Sequence, residues 1–379
     1  MKIAIDARFI GPEGTGIGRY ILNLLTNLEE IDHINEYYVF VRSSNYNIFN
    51  PTNPNFKKII VDARWYSFKE QLLLPLALYK LKPDLLHVPH FNIPVFYFGK
   101  FVITIHDIIK SEYAGKAATL RNPVFYQIKH FIYDQWVLRQ AGHLSKKVIT
   151  PTETSKKKIV KYLGLSEEKV VVTYESADEK FFEWGQKKIE QEKINIVLKK
   201  YFIKKPFILY VGNSFPYKNL DRLIEALKLL PKDLHLVNPC TRSDFYDKLA
   251  DKVREEGVSD RVILPGYVPD EDLVILYRAA EAYVFPSLSE GFGLPALEAM
   301  ASKLPVVCSD IPALREICGD NVVYFDPYDS SNIAQKISQI LEDKKLRDKM
   351  IVEGLERAKQ FSWRKMAAQT LQVYEEATK

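Results

Sequence analysis

Short apolar runs recur along the whole chain, each ended by glycine, proline or a polar cluster, with amphipathic stretches between them. In the first half Lys2–Ile10, Tyr37–Val41, Lys57–Val61, Leu85–His87, Val148–Thr150 and Lys169–Thr173, with a run opening at Phe101, read as buried strands. In the second half Pro206–Gly212, Leu234–Val237, Arg261–Leu264, Glu281–Pro286, Pro305–Ser309 and Val322–Phe325 read likewise. The stretches between them have helical spacing. Ile21, Leu24, Leu25 and Leu28 mark one face, and Leu223, Ile224, Leu227 and Leu230 another. Phe68–Leu81 reads as a helix with Pro75 as a kink or boundary. Asn122–Arg139, rich in aromatics (Phe125, Tyr126, Phe131, Tyr133, Trp136), reads as a helix packed into the core. Thr or Ser within Thr150–Ser155 caps the helix that follows. A last helix starts at Phe361–Trp363, with Ala367, Leu371 and Tyr374 at helical spacing.

Two runs of alternating strands and helices predict an α/β protein with two doubly wound, Rossmann-like domains. From Tyr174 to Lys205 the chain is charged and patchy and reads as linker. The expected division is a first domain over 1–175, a linker over 176–205, a second domain over 206–358 and a final helix over 359–379.

Ligands of such sheets sit at the carboxyl ends of strands, and the candidate chemistry falls there. After the strand Glu281–Pro286, the stretch Ser287–Met300 reads as a tight turn running into a helix. Gly291, Phe292, Gly293 and Leu294 make the turn, and Pro295 falls where a missing N–H costs nothing. Bare turn amides and the positive end of the helix form an anion site, and diphosphate fits it. Glu290 precedes the turn and Glu298 lies about one helical turn inside. Each carboxylate can accept hydrogen bonds from a pair of hydroxyls, which a nucleotide-sugar offers at its ribose and at its sugar. A solvated loop or a helix dipole explains either acid alone; the two together around Gly-Phe-Gly-Leu-Pro call for a ligand.

Other positions carry weaker signals. The glycines of Gly11–Tyr20 fall as G-x-G-x-G with no ribose-binding acid after the next strand. That is not a dinucleotide fingerprint, so an NAD enzyme is excluded, and a structural loop explains the segment equally well. His106 and Asp107 follow a strand directly, although a lone histidine there is more often structural. Lys218 precedes a helix start, against the dipole preference, so a nearby anion would account for it. Asp270 and Asp272 form an Asp-x-Asp, which an N-cap and a first-turn acid explain without a metal.

The Glu290–Glu298 pair around Gly-Phe-Gly-Leu-Pro resembles the signature of family 4 retaining glycosyltransferases, and the likeness runs through nearly the whole chain. It implies the GT-B fold, two domains facing a cleft, with the terminal helix crossing back onto the first. It further implies that Glu290 contacts the transferred sugar, Glu298 holds the ribose and the Gly291–Leu294 amides hold the phosphates. Lys218 would grip the diphosphate, His106 would reach the donor sugar, and Asp107 would take a lesser role toward the acceptor. Gly16 would lie beside the diphosphate or acceptor, and backbone near Val268 would meet the nucleobase. Many members have arginine where this chain has Asn213, which removes one positive charge; Arg242 is the candidate replacement. The turn Asn238–Ser243 also lacks the glycine usual in the family. The implied activity is metal-independent transfer of a hexose with retention, with no cofactor besides the nucleotide-diphosphate-sugar donor. Asp6–Arg8 and Gly16–Tyr20 resemble mannosyltransferase-like members of bacterial and archaeal surface-polysaccharide assembly. GDP-mannose is therefore the favoured donor, and a saccharide or lipid-linked molecule the acceptor. Two alternatives stay open: a nucleotide-sugar epimerase, which turns over donor without acceptor, and an inactive sugar-nucleotide-binding protein, for which only Asn213 speaks.

Composition narrows the setting. With 379 residues, 47% hydrophobic and 27% charged, the chain has core enough for two or three domains. No apolar run approaches the roughly 20 residues of a membrane span, and the start reads as a strand, not a signal peptide. Cys240, Cys308 and Cys318 lack metal-ligand spacing, which points to a reduced, cytoplasmic protein. A net charge of +5 is too mild to make nucleic acid a partner. Lys146, Lys147, Lys156, Lys157, Lys158 and Lys161 cluster. A solvated helix face is the favoured explanation, with peripheral contact at an anionic membrane face as a second expectation.

Overall fold

The computed structural model describes residues 1–11, 14–113, 136–187, 189–240 and 244–379. The described residues up to 175, together with Ser362–Lys379, form one unit, and Ser176–Phe361 form another. Each is organised on a parallel sheet. The first contains β1 (Lys2–Asp6), β2 (Glu36–Val41), β3 (Phe56–Ile60), β4 (Leu85–Val88), β5 (Phe101–Thr104), β6 (Val148–Thr150) and β7 (Val170–Val172) in the order β3-β2-β1-β4-β5-β6-β7. The second contains β8 (Phe207–Leu209), β9 (His235–Pro239), β10 (Val262–Gly266), β11 (Ala282–Phe285), β12 (Val306–Ser309) and β13 (Val323–Phe325) in the order β10-β9-β8-β11-β12-β13. Every apolar run singled out above becomes one of these strands. β4, β5, β6, β8, β11 and β12 are buried at every residue, as strands covered by helices on both faces must be.

Both sheets reverse their winding once. In the first the reversal lies between β1 and β4, in the second between β8 and β11. Loops leaving the two strands at such a point diverge to opposite faces and leave a crevice for ligand. The glycine loop follows β1, Asn213–Lys218 follows β8, and the Glu290 signature follows β11. The topology thus sets these three segments at switch points, whereas His106 and Asp107 follow β5 and Val268 follows β10.

The terminal helix, Trp363–Thr378, belongs to the first unit, as expected. The Tyr374 hydroxyl lies 2.6 Å from His87 Nδ1, Arg364 pairs with Glu30 at 3.0 Å, and Lys100 Nζ donates to the Thr378 carbonyl at 2.6 Å. Buried apolar side chains at Met366, Ala367 and Val373 make the inner face.

Several expectations are corrected. The stretch read as linker holds two helices, Glu179–Gln186 and Gln191–Lys200, and goes with the second unit. Phe181 is fully buried edge-on to Tyr277, with ring centroids 5.5 Å apart. A Cβ on Gly185 would collide with the Ala301 carbonyl, so this helix packs directly against the end of the signature helix. Asp270 does not cap its helix. Pro269 is the N-cap, and Asp270 and Asp272 both lie in the first turn with lysine partners. Lys180 donates to Asp270, while Lys200 and the Tyr201 hydroxyl donate to Asp272 at 2.6 and 2.7 Å. Pro75 neither ends nor splits Phe68–Leu81. Trp136, expected in the core, is half exposed, and the rest of the aromatic run through Tyr133 lies outside the described residues.

Candidate active site

The second unit assembles its site from two turns. Gly293 is the N-cap of the Leu294–Ala301 helix, with φ 111°. A Cβ there would also come within 2.9 Å of the Leu314 side chain, so both dihedral and space require glycine. Gly291 and Phe292 are buried, and the Phe292 ring meets Phe361 edge-on at 5.9 Å. This packing fixes the turn before any ligand contributes.

Lys218 ends a short 3-10 turn, Pro216–Lys218, after β8. Asn219 follows it in the left-handed region, φ 61°, and ties the turn to its neighbours. Its amide donates to the carbonyls of Pro286 (2.9 Å) and Pro327 (2.8 Å), and the Leu288 N–H donates to the Tyr217 carbonyl at 2.8 Å. These bonds lock the β8 and β11 turns together. Lys218 Nζ consequently reaches Glu290 Oε1 at 2.6 Å, with both side chains largely out of water. Glu290 is therefore a paired carboxylate, not an isolated one. An ammonium has three donors, so this bond leaves two for an anion.

Glu298 projects from the signature helix, nearly buried, and accepts a hydrogen bond from the Tyr277 hydroxyl at 3.0 Å. Both acids act on the buried phenol of Tyr283. Burial first, then the charges of Glu290 and Glu298, push its pKa well above the ordinary value. Both carboxylates thus act on one residue of β11, while each is held by its own partner, Lys218 or Tyr277. Val268 lies beyond β10 with its side chain buried. Asn213 is exposed, and its backbone carbonyl accepts from the Tyr210 hydroxyl at 3.0 Å. Arg242 lies outside the described residues.

In the first unit, His106 is the best-held candidate. Its Nδ1 lies 3.1 Å from Glu175 Oε1, its Nε2 lies 3.3 Å from the Pro89 carbonyl, and its ring meets Tyr20 edge-on at 4.8 Å. Asp107 is exposed and accepts the Ile109 N–H at 2.9 Å, a local turn contact. In the glycine loop, a Cβ on Gly14 or Gly18 would strike backbone carbonyls, whereas at Gly16, exposed in the first turn of the Thr15–Ile31 helix, nothing lies within 4 Å. The fold itself does not require glycine at position 16.

Three groups escaped the sequence reading, and a fourth entered it only through a family likeness. Glu175 orients His106, Tyr277 orients Glu298, and Asn219 sets Lys218. The fourth is Arg8, fully buried, which bonds both oxygens of Asp6 at 2.7 Å and Glu70 at 2.6 Å. Burial opposes its charge, but Asp6 and Glu70 outweigh it and hold the guanidinium above its usual pKa. Glu70 in turn accepts from the Asn92 amide at 2.9 Å, so β1, the Phe68–Leu81 helix and the loop after β4 share one network.

The chain resembles known proteins along nearly its whole length. Residues 193–357 match the family described as glycosyl transferases group 1, and residues 14–181 match glycosyltransferase family 4. The chain is 30% identical to O-antigen chain mannosyltransferase B of Escherichia coli, over 99% of each. It is 29% identical to O-antigen chain mannosyltransferase RfbU of Salmonella typhimurium, over 87% of this chain and 88% of that one. Among solved structures, the Anabaena protein HepE in complex with UDP and glucose superimposes with a TM-score of 0.76 over 99% of both chains, at 17% identity. The chain belongs to the family 4 glycosyltransferases, and its two Rossmann-like units are those of the GT-B fold.

Proposed function

We propose that the protein transfers mannose from GDP-mannose, with retention of configuration, to a saccharide or lipid-linked acceptor in surface-polysaccharide assembly. The observation that carries this reading is the Lys218–Glu290 pair, locked at the β8/β11 switch point beside a glycine-capped helix bearing Glu298. Lys218 and the turn amides neutralise the departing diphosphate, and Glu290 orients the sugar. Glu298, steadied by Tyr277, holds the ribose hydroxyls. In the first unit His106, steadied by Glu175, takes the role toward the sugar that the family likeness gives it. The departing phosphate oxygen removes the acceptor's proton, so no side-chain base is needed, and the rate comes from positioning and charge stabilisation. Lysine partners on Asp270 and Asp272 support a reaction without a bound metal. Mannose as the sugar, and polysaccharide as its destination, are supported by the full-length likeness to the two O-antigen mannosyltransferases. The reaction is assigned to the cytoplasmic side, where nucleotide-sugars are made.

The test is a thermal-shift screen of GDP-, UDP- and ADP-sugars, followed by NMR of the product anomer in EDTA. GDP-mannose should give the largest shift and an α-linked product. No shift with any nucleotide-sugar, or a β-linked product, contradicts the proposal.

A further inference from the structure

Phe68, Leu72, Leu76 and Tyr79 lie along one face of the Phe68–Leu81 helix, within about 80° of arc at 100° per residue. All four are exposed, from 46% at Tyr79 to 98% at Phe68, while Leu74 and Leu78 fill the core behind them. Phe96 and Phe98, 62% and 83% exposed, extend the stripe. Their loop is stitched to the helix edge: Tyr79 donates to the Phe96 carbonyl at 2.9 Å, Phe98 N–H donates to the Tyr79 hydroxyl at 3.2 Å, and Val95 N–H donates to Gln71 Oε1 at 2.7 Å. Six large exposed apolar side chains thus share one helix face and the loop stitched to its edge, and a patch of this kind marks an interaction site.

The charges beside it say which partner. Between Ala63 and Pro83 the cations are Arg64, Lys69, Lys80 and Lys82, and all four are exposed. The sole acid in that stretch is Glu70, which is fully buried and bound to Arg8 and Asn92. Asp62 and Asp84, exposed just outside that stretch, are engaged by Ser43 and by the Lys2 N–H. An apolar, aromatic-rich face with cations in excess matches the interface of an anionic bilayer: rings and leucines enter the acyl boundary while lysines meet phosphate. The basic cluster around Lys146–Lys161 is a poorer match. Lys158 is paired with Glu112, and Lys147 with Glu376. Among the described residues, the Glu153–Leu163 helix that carries most of it has no exposed large apolar side chain.

We propose that the outer face of the Phe68–Leu81 helix, with Phe96 and Phe98, is the surface by which the protein lies on an anionic lipid bilayer. The inference does not depend on the donor or the reaction, because binding is read without substrate. Full-length protein is sedimented with vesicles of phosphatidylcholine alone and of phosphatidylcholine with about one-third phosphatidylglycerol, at low and high salt. Wild type should partition onto the anionic vesicles, less so at high salt. The double variant Leu72→Gln/Leu76→Gln should partition at least about tenfold less, and Lys80→Gln/Lys82→Gln several-fold less. Neither should change the thermal midpoint, since all four side chains are exposed. Absence of wild-type binding to either vesicle overturns the proposal. So does undiminished binding by Leu72→Gln/Leu76→Gln, or loss of binding on changing Lys156 and Lys157 instead. Size-exclusion chromatography adds one further outcome: a wild-type dimer that Leu72→Gln/Leu76→Gln converts to monomer would give the stripe to a second copy and also overturn it.

Discussion

In the second unit, Glu290 and Glu298 lie on one continuous turn and helix after β11, and Lys218 comes from the neighbouring turn after β8. In the first unit, His106, Glu175, Arg8 and Glu70 are drawn from four separate parts of the chain. Both sets sit at the strand carboxyl ends, yet only the second unit's can be read as a motif. A motif is legible when the groups that act are also the groups that are adjacent. Where a side chain is positioned by a partner far along the chain, spacing holds no trace of it.

If that contrast is right, the largest effects belong to the Lys218–Glu290 pair. Lys218→Ala and Glu290→Ala should each lower kcat about 10²–10⁴-fold. The double variant should lose little more than the worse single one, because each substitution leaves the other charge stranded in a water-poor site. Steady-state rates for the four proteins check this, and strictly additive losses would mean that the two groups act apart.

The next effect is on stability and falls in the first unit. Arg8→Met leaves Asp6 and Glu70 buried without their cation, a change that costs about 3–5 kcal/mol. Urea unfolding should show it, and a loss within experimental scatter would remove the network from the account. Glu175→Gln should be milder, lowering kcat about tenfold with an unchanged midpoint, since His106 would lose its orienting charge but not its packing.

The last effect is a slope with pH, absent at neutral pH. His87 is fully buried between the Tyr374 and Thr104 hydroxyls. Burial, and secondarily His106, push its pKa from 6.5 down to about 3. The unfolded chain protonates first, so stability is complete above about pH 6.5 and is lost as pH falls toward about 3, by at most ~1.4 kcal/mol per pH unit. Unfolding midpoints of wild type should therefore decline more steeply below pH 6.5 than those of His87→Gln. Parallel declines would contradict the assignment.

The sequence was legible at the level of strands because buried parallel strands are apolar at every position, whichever neighbours they find. It was legible at Glu290, Gly293 and Glu298 because a turn, a cap and a helix are local objects. It misled at 176–205, where charged outer faces hid Phe181, whose burial against Tyr277 appears only once the helices dock. It misled at Asp270 because lysine partners arrive from that same segment. Tyr277, Asn219 and Glu175 had no local signal at all: each is an ordinary helix or loop residue until its partner is brought to it.

The most direct test is the affinity for GDP, measured calorimetrically on wild type, Lys218→Ala, Glu298→Gln and His106→Ala. The account predicts that Lys218→Ala and Glu298→Gln bind at least about tenfold more weakly, a loss of ~1.4 kcal/mol or more, while His106→Ala binds as wild type does. Equal affinity in all four, or a loss confined to His106→Ala, would contradict the assignment of the nucleotide to the β8 and β11 turns.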